Sequence, residues 1–175
     1  MGGPGLRQWA MTAQPPSPPL PPLVLLDLEE TLIQSWHEPY FLPGRIAKIR
    51  DFLERHPGSE LGLMSWAVYH DEDLAVFHTT LRADLESMLG QAFDARWVLH
   101  MGGWADEVFR WARKRLTRDD LFDLFGKDQV FLLLARRQPE WQGRHVVLFD
   151  DAFEDLVLEI PGTQTTAQII NVLRP

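Results

Sequence analysis

From residue 23 onward, short apolar runs alternate with stretches of helical periodicity. Leu23-Val-Leu-Leu26, Leu61-Gly-Leu-Met64, Trp97 to Met101 and Val146-Val-Leu-Phe149 read as strands, and a final strand is expected over Gln168 to Val172, after Pro161-Gly162. Runs of about four apolar residues bounded by acids or turn signals are typical of strands covered on both faces. Between them, residues 44–56 place Ile46, Ile49, Phe52 and Leu53 on one helical face, with His56-Pro57-Gly58 as the stop. Residues 79–90, with Leu81, Leu85, Met88 and Leu89, predict a second helix. Residues 104–125 predict a third through Val108, Trp111 and Ala112, broken at Thr117, where Asp119 and Asp120 can cap a shorter piece. Residues 128–137 predict another, through Val130, Leu133 and Leu134. One more helix is expected between the fourth strand and the last, because parallel neighbours need a crossover. The order predicts an α/β fold, a three-layer α/β/α sandwich on a mostly parallel Rossmannoid sheet, with ligands at the carboxyl ends of the strands.

Ahead of this pattern, residues 1–22 have a different composition. The stretch Gln14 to Pro22 holds six of the thirteen prolines, which supply neither backbone donors nor a helix, so a disordered tail is expected before a single domain over 23–175. The chain of 175 residues is 45% hydrophobic and 24% charged, enough apolar material for one core. Its formal charge of −8 argues against broad nucleic-acid binding or adhesion to anionic membranes. With no cysteine, thiolate chemistry and zinc-thiolate sites are excluded. The apolar run at Leu23 is cut off by Asp27, and no apolar stretch follows Arg7, so neither a membrane span nor a signal peptide is expected and a cytoplasmic protein is.

Two of the strands run straight into acids: the first into Asp27-Leu-Glu-Glu-Thr31, the fourth into Asp150-Asp151. Carboxylates are costly to desolvate, so two acidic clusters converging on one sheet edge call for compensation, most simply a divalent cation such as Mg²⁺. The alternative is that each acid caps the helix after its strand.

These residues resemble a family. Leu25-Leu-Asp-Leu-Glu-Glu-Thr-Leu-Ile-Gln-Ser35 is similar to the first motif of the haloacid dehalogenase (HAD) superfamily, and in particular to the form found in small, uncapped C-terminal-domain phosphatases. Phe41-Leu-Pro-Gly44 resembles the family's entry to its first crossover helix, Leu61 to Ser65 its second motif, and Asp150-Asp151 with Asp155 its fourth. The resemblance implies a Mg²⁺-dependent phosphomonoesterase in which Asp27 attacks phosphorus to form an aspartyl-phosphate. It implies that residue 29 acts as acid and base through its side chain and holds the metal through its backbone carbonyl, and that Ser65 donates to a phosphoryl oxygen. It also implies a cation before the fourth strand, for which Lys127, 23 residues ahead of Asp150, fits better than Lys114, Arg136 or Arg137. Asp27, Glu29, Asp150 and Asp151 are the implied metal site, the last two sharing direct and outer roles in either order, and Asp155 is placed to orient Lys127 or a metal-bound water.

The chain departs from the family at Glu29, where an Asp is the rule. The extra methylene displaces the carboxyl, and a ~1 Å error in a positioned acid can cost ~10²-fold in rate. Two readings from different classes follow. One is a phosphatase acting on an exposed phosphate of a nucleotide, a nucleic-acid end or a phosphoprotein, an expectation that fits the short spacing of 38 residues between Asp27 and Ser65, which leaves no room for a cap. The other is a catalytically impaired binding protein using an open face on which Trp36, Trp66 and Trp104, with Tyr40, Tyr69 and His70, form an aromatic rim.

Overall fold

The structure is a computed structural model that describes residues 19–110 and 125–174. Residues 1–18 of the proline-rich tail, Trp111, Lys114 and the cap expected at Asp119 and Asp120 lie outside the described residues, while the tail's last residues are held at the domain, the Pro22 carbonyl accepting the Glu60 N–H and the Pro21 carbonyl accepting from Arg144 Nε. The strands are β1 (Leu23–Leu26), β2 (Glu60–Leu63), β3 (Phe93–Val98), β4 (His145–Asp150), β5 (Leu156–Ile160) and β6 (Thr165–Asn171). They form one sheet in the order β3-β2-β1-β4-β6-β5, parallel except for β5, which pairs antiparallel with β6. The helices are α1 (Pro43–Arg55), α2 (Asp71–Val76), α3 (Arg82–Leu89), α4 (Met101–Phe109) and α5 (Lys127–Arg137).

Alternation along the central strand produces the three layers. All four residues of β1 are fully buried. Val24 and Leu26 face α1 and α3 through Ile46, Ile49, Phe52, Leu85 and Leu89, and Leu23 and Leu25 face α4 and α5 through Trp104, Val108, Val130, Phe131 and Leu134. Pro43 opens α1, where a missing N–H costs nothing. Asp128 in the first turn of α5 and Arg136 and Arg137 in its last complement the helix dipole. At Gly62 on β2 a Cβ would lie 2.6 Å from Leu25 Cδ2 and 2.6 Å from Trp97 Cβ, so only glycine lets the neighbouring side chains close over the strand.

Several expected elements are corrected. The helix predicted over 79–90 begins earlier: α2 runs from Asp71 and joins α3 through a π-helical turn, Phe77–Leu81. The third strand is Phe93–Val98 rather than Trp97–Met101, because His100 accepts the Gly103 N–H and starts α4 at Met101. The helix expected between β4 and the last strand is absent; β5 stands there instead, carrying the chain outward so that β6 can return beside β4. A strand thereby does the work of the crossover helix. Among the described residues, no helix is long and apolar enough to cross a membrane.

Candidate active site

The chain passes from β1 outward to β3 on one side, and β4 then pairs with the other side of β1. Such a reversal of strand order leaves a crevice at the carboxyl ends of the two central strands. Leu26 pairs with Phe149, and the Asp27 N–H donates to the Phe149 carbonyl, so the acids that follow the two strands meet in this crevice.

Asp27, Asp150 and Asp151 each present a carboxylate oxygen, all within 4.8 Å of one another. Lys127, at the start of α5, reaches between the first two: its Nζ is 2.8 Å from Asp27 Oδ2 and 2.5 Å from Asp150 Oδ2. The lysine is 2% exposed and Asp150 is fully buried. Burial pushes the Asp150 carboxyl above its ordinary range and the Asp27 charge adds to this, against the opposing pull of Lys127. Asp151 is also pushed up, first by burial and then by repulsion from Asp150. Three carboxylates against one ammonium leave negative charge uncompensated, and all the donors are hard oxygens, so the set fits a divalent cation such as Mg²⁺.

Ser65 lies just beyond β2, and its Oγ accepts the backbone N–H groups of Leu28 and Ala67, both at 3.3 Å. Two accepted bonds leave the hydroxyl proton as its remaining polar function. The sharp turn after β1 is made by the Leu28 carbonyl, which accepts from Thr31, Leu32 and Ile33, with Glu30 at φ +53°, a left-handed conformation costing about 1–2 kcal/mol in a residue with a Cβ. That turn throws up a flap over residues 31–42, closed by the Gln34 N–H to Tyr40 carbonyl bond and the Leu42 N–H to Leu32 carbonyl bond. The Glu29 carboxylate folds toward the flap, where its Oε1 accepts the Trp36 N–H at 2.6 Å.

The resulting pocket, of about 240 Å³, is lined by Asp27, Glu29, Glu30, Ser65, Lys127 and Asp151 together with Trp66, Ala67, Ala152 and Phe153. The crevice thus brings together all six of the site residues picked out from the sequence, except that Asp150 lies beneath the pocket wall. Other expectations do not hold. Asp155 does not approach Lys127; its Oδ1 accepts the Asn171 N–H at 2.7 Å. Trp104 belongs to the core rather than to a rim: it is fully buried, and its indole N–H donates to the Leu63 carbonyl. Arg136 and Arg137 sit at the far end of α5 from Lys127.

Asn171 had no sequence signal. At the end of β6 it lies in register with Asp150, and its side-chain amide donates to the carbonyls of Asp151 and Phe153 while its Oδ1 accepts the Leu173 N–H. It thereby sets the loop that carries Asp151. Only the pairing of β4 with β6, which no local pattern encodes, brings the two together.

Comparison with protein-family models, with curated proteins and with solved structures found no match.

Proposed function

We propose that the chain is a HAD-like, Mg²⁺-dependent phosphomonoesterase. The observation that carries this reading is the convergence of Asp27 and Asp150 on the Lys127 ammonium, with an Asp151 carboxylate oxygen within 4.8 Å of theirs, in the pocket that Ser65 also lines, at the reversal of strand order.

In this mechanism Asp27 attacks phosphorus through a carboxylate oxygen, forming an O–P bond as the ester P–O bond breaks. The departing alkoxide takes the proton from the Glu29 carboxylic acid. A water then attacks phosphorus of the aspartyl-phosphate, giving its proton to the Glu29 carboxylate, and inorganic phosphate leaves with Asp27 restored. Asp27, Asp150 and Asp151, with the Glu29 backbone carbonyl, would hold Mg²⁺, which supplies charge neutralisation on the phosphoryl oxygens. Lys127 offsets the charge of Asp27 and Asp150 and orients Asp27, and Ser65 donates to a phosphoryl oxygen. The bond from Trp36 supports an active role for Glu29, because it pins one carboxyl oxygen to the flap while the residue still lines the pocket.

The test is release of inorganic phosphate from a panel of phosphate monoesters with and without Mg²⁺. Metal-dependent release, lost in Asp27→Asn and retained or raised in Glu29→Asp, is expected. Release that survives Asp27→Asn, or none from either the native protein or Glu29→Asp, overturns the reading.

A further inference from the structure

The acids, Lys127 and Ser65 account for most of the pocket lining and leave its two aromatic residues, Trp66 and Phe153, unexplained. Trp66 follows Ser65 directly, lines the pocket and is 39% exposed. Its ring is backed by Tyr69, with centroids 6.4 Å apart and planes 12° from parallel, and Tyr69 in turn meets His70 edge to face at 4.8 Å. The indole is therefore supported as a flat surface. Phe153 belongs to the same lining, with Lys127 Nζ 5.9 Å from its ring centre.

The pocket's size separates what enters from what stays outside. Whole small ligands are usually enclosed by roughly 300–1,000 Å³, and this pocket offers about 240 Å³. It has room for a phosphoryl group and the atoms next to it. Trp66, the residue after Ser65, is part of the same lining and partly exposed, so the remainder of an ester whose phosphate reaches Ser65 has an indole beside it. Beyond the groups given to the chemistry, the pocket lining adds the carboxylate of Glu30, which Arg45 engages at 3.4 Å. Carboxylates only accept hydrogen bonds. They suit hydroxyl and amino groups and oppose a second phosphate alongside the first. A phosphate monoester with a flat ring a few bonds away, and with hydroxyl and amino donors between and around them, meets all of these conditions.

Resting on the phosphatase reading of the same site, we propose that the substrate is a nucleoside monophosphate unit whose base stacks on Trp66. Base–aromatic stacking tolerates any base, so the selectivity is for the presence of a base rather than for its identity.

The experiment compares kcat/KM, with Mg²⁺, for AMP and for ribose 5-phosphate, which carry the same phosphate on the same sugar and differ in the base. Stacking predicts a preference for AMP of roughly 5- to 150-fold. In Trp66→Ala the ratio should collapse toward 1, and in Trp66→Phe, which keeps a ring, most of it should survive. Equal kcat/KM for the two esters in the native protein, or a preference unchanged in Trp66→Ala, overturns the proposal. A tetranucleotide with a terminal phosphate identifies the source: turnover matching AMP points to a strand end, and turnover at least ~10-fold poorer to a free nucleotide, each consistent with stacking. If no ester is hydrolysed the phosphatase reading fails by itself. Calorimetric Kd values of AMP and ribose 5-phosphate then decide: tighter AMP binding that Trp66→Ala abolishes supports the stacking site, and equal binding overturns it.

Discussion

Asn171→Leu separates a residue that merely stabilises the fold from one that positions the site. The substitution keeps similar bulk and leaves the charge unchanged. It removes three hydrogen bonds: 2.9 Å to the Asp151 carbonyl, 2.7 Å to the Phe153 carbonyl and 2.8 Å from the Leu173 N–H. At about 0.5–1.5 kcal/mol each, their loss amounts to about 1.5–4.5 kcal/mol. The upper half is expected, because Asn171 is only 9% exposed and water replaces its bonds poorly. The carbonyls released belong to the loop bearing Asp151 and Phe153, so a second effect follows: a carboxylate displaced by ~1 Å costs ~10²-fold in turnover, and Mg²⁺ half-saturation should rise at least ~10-fold. Urea unfolding gives the first quantity. Calorimetric Mg²⁺ titration well below the melting temperature, where the variant is folded, gives the second. A loss below about 0.5 kcal/mol would refute the hydrogen-bond reasoning, and a full loss of stability with native Mg²⁺ affinity would reduce Asn171 to a structural residue.

Lys127→Ala leaves Asp27 and Asp150 buried without their cation, and the metal-free protein should lose about 3–5 kcal/mol in urea unfolding; a loss below 1 kcal/mol would refute the view that the lysine compensates the two buried carboxyls. Asp151→Asn should act in the opposite direction. Burial and Asp150 push the Asp151 carboxyl up, so its charged form opposes folding above the raised value, and the variant should melt higher than the native protein in chelator at pH 7. That gain should vanish by the unfolded value of 3.8, while the Mg²⁺-induced rise in melting temperature is reduced. For Glu60, burial alone would raise the carboxyl, but hydrogen bonds from Trp97 and Arg144 and the charges of Arg144 and Arg96 hold it below its usual 4.5. Its contribution is thus present above 4.5 and lost as pH falls toward the lower folded value. Glu60→Gln should therefore be less stable than the native protein at neutral pH, with the difference closing below pH 4.5 in urea midpoints; a difference independent of pH would assign the effect to packing.

The sequence made the centre of the sheet legible and its edges less so, for a physical reason. β1, β2 and β4 are buried on both faces, so their apolar runs answer to nothing but burial, and their bounds fall within about a residue of expectation. At the edge, β3 carries Asp94 and Arg96, which pair with each other at 2.7 Å, and this charge masks the strand and shifts the expected start toward Trp97. β5 is mostly exposed, Val157 at 63%, and owes its existence to pairing with β6 across the turn at Pro161-Gly162. The site divides in the same way. Asp27, Ser65, Asp150 and Asp151 each lie at the end of a buried strand or within two residues of it, and Lys127 at the start of a helix, so finding the elements finds them. Asn171 and the Trp36 N–H act through partners 20 and 7 residues away, contacts created by strand order and flap closure rather than by any local pattern. Glu29 shows how much this matters: its extra methylene reads as a defect along the chain, yet the flap supplies a donor at 2.6 Å that fixes where the longer side chain ends. Whether a glutamate can do an aspartate's work at this position is therefore decided by the loop above it.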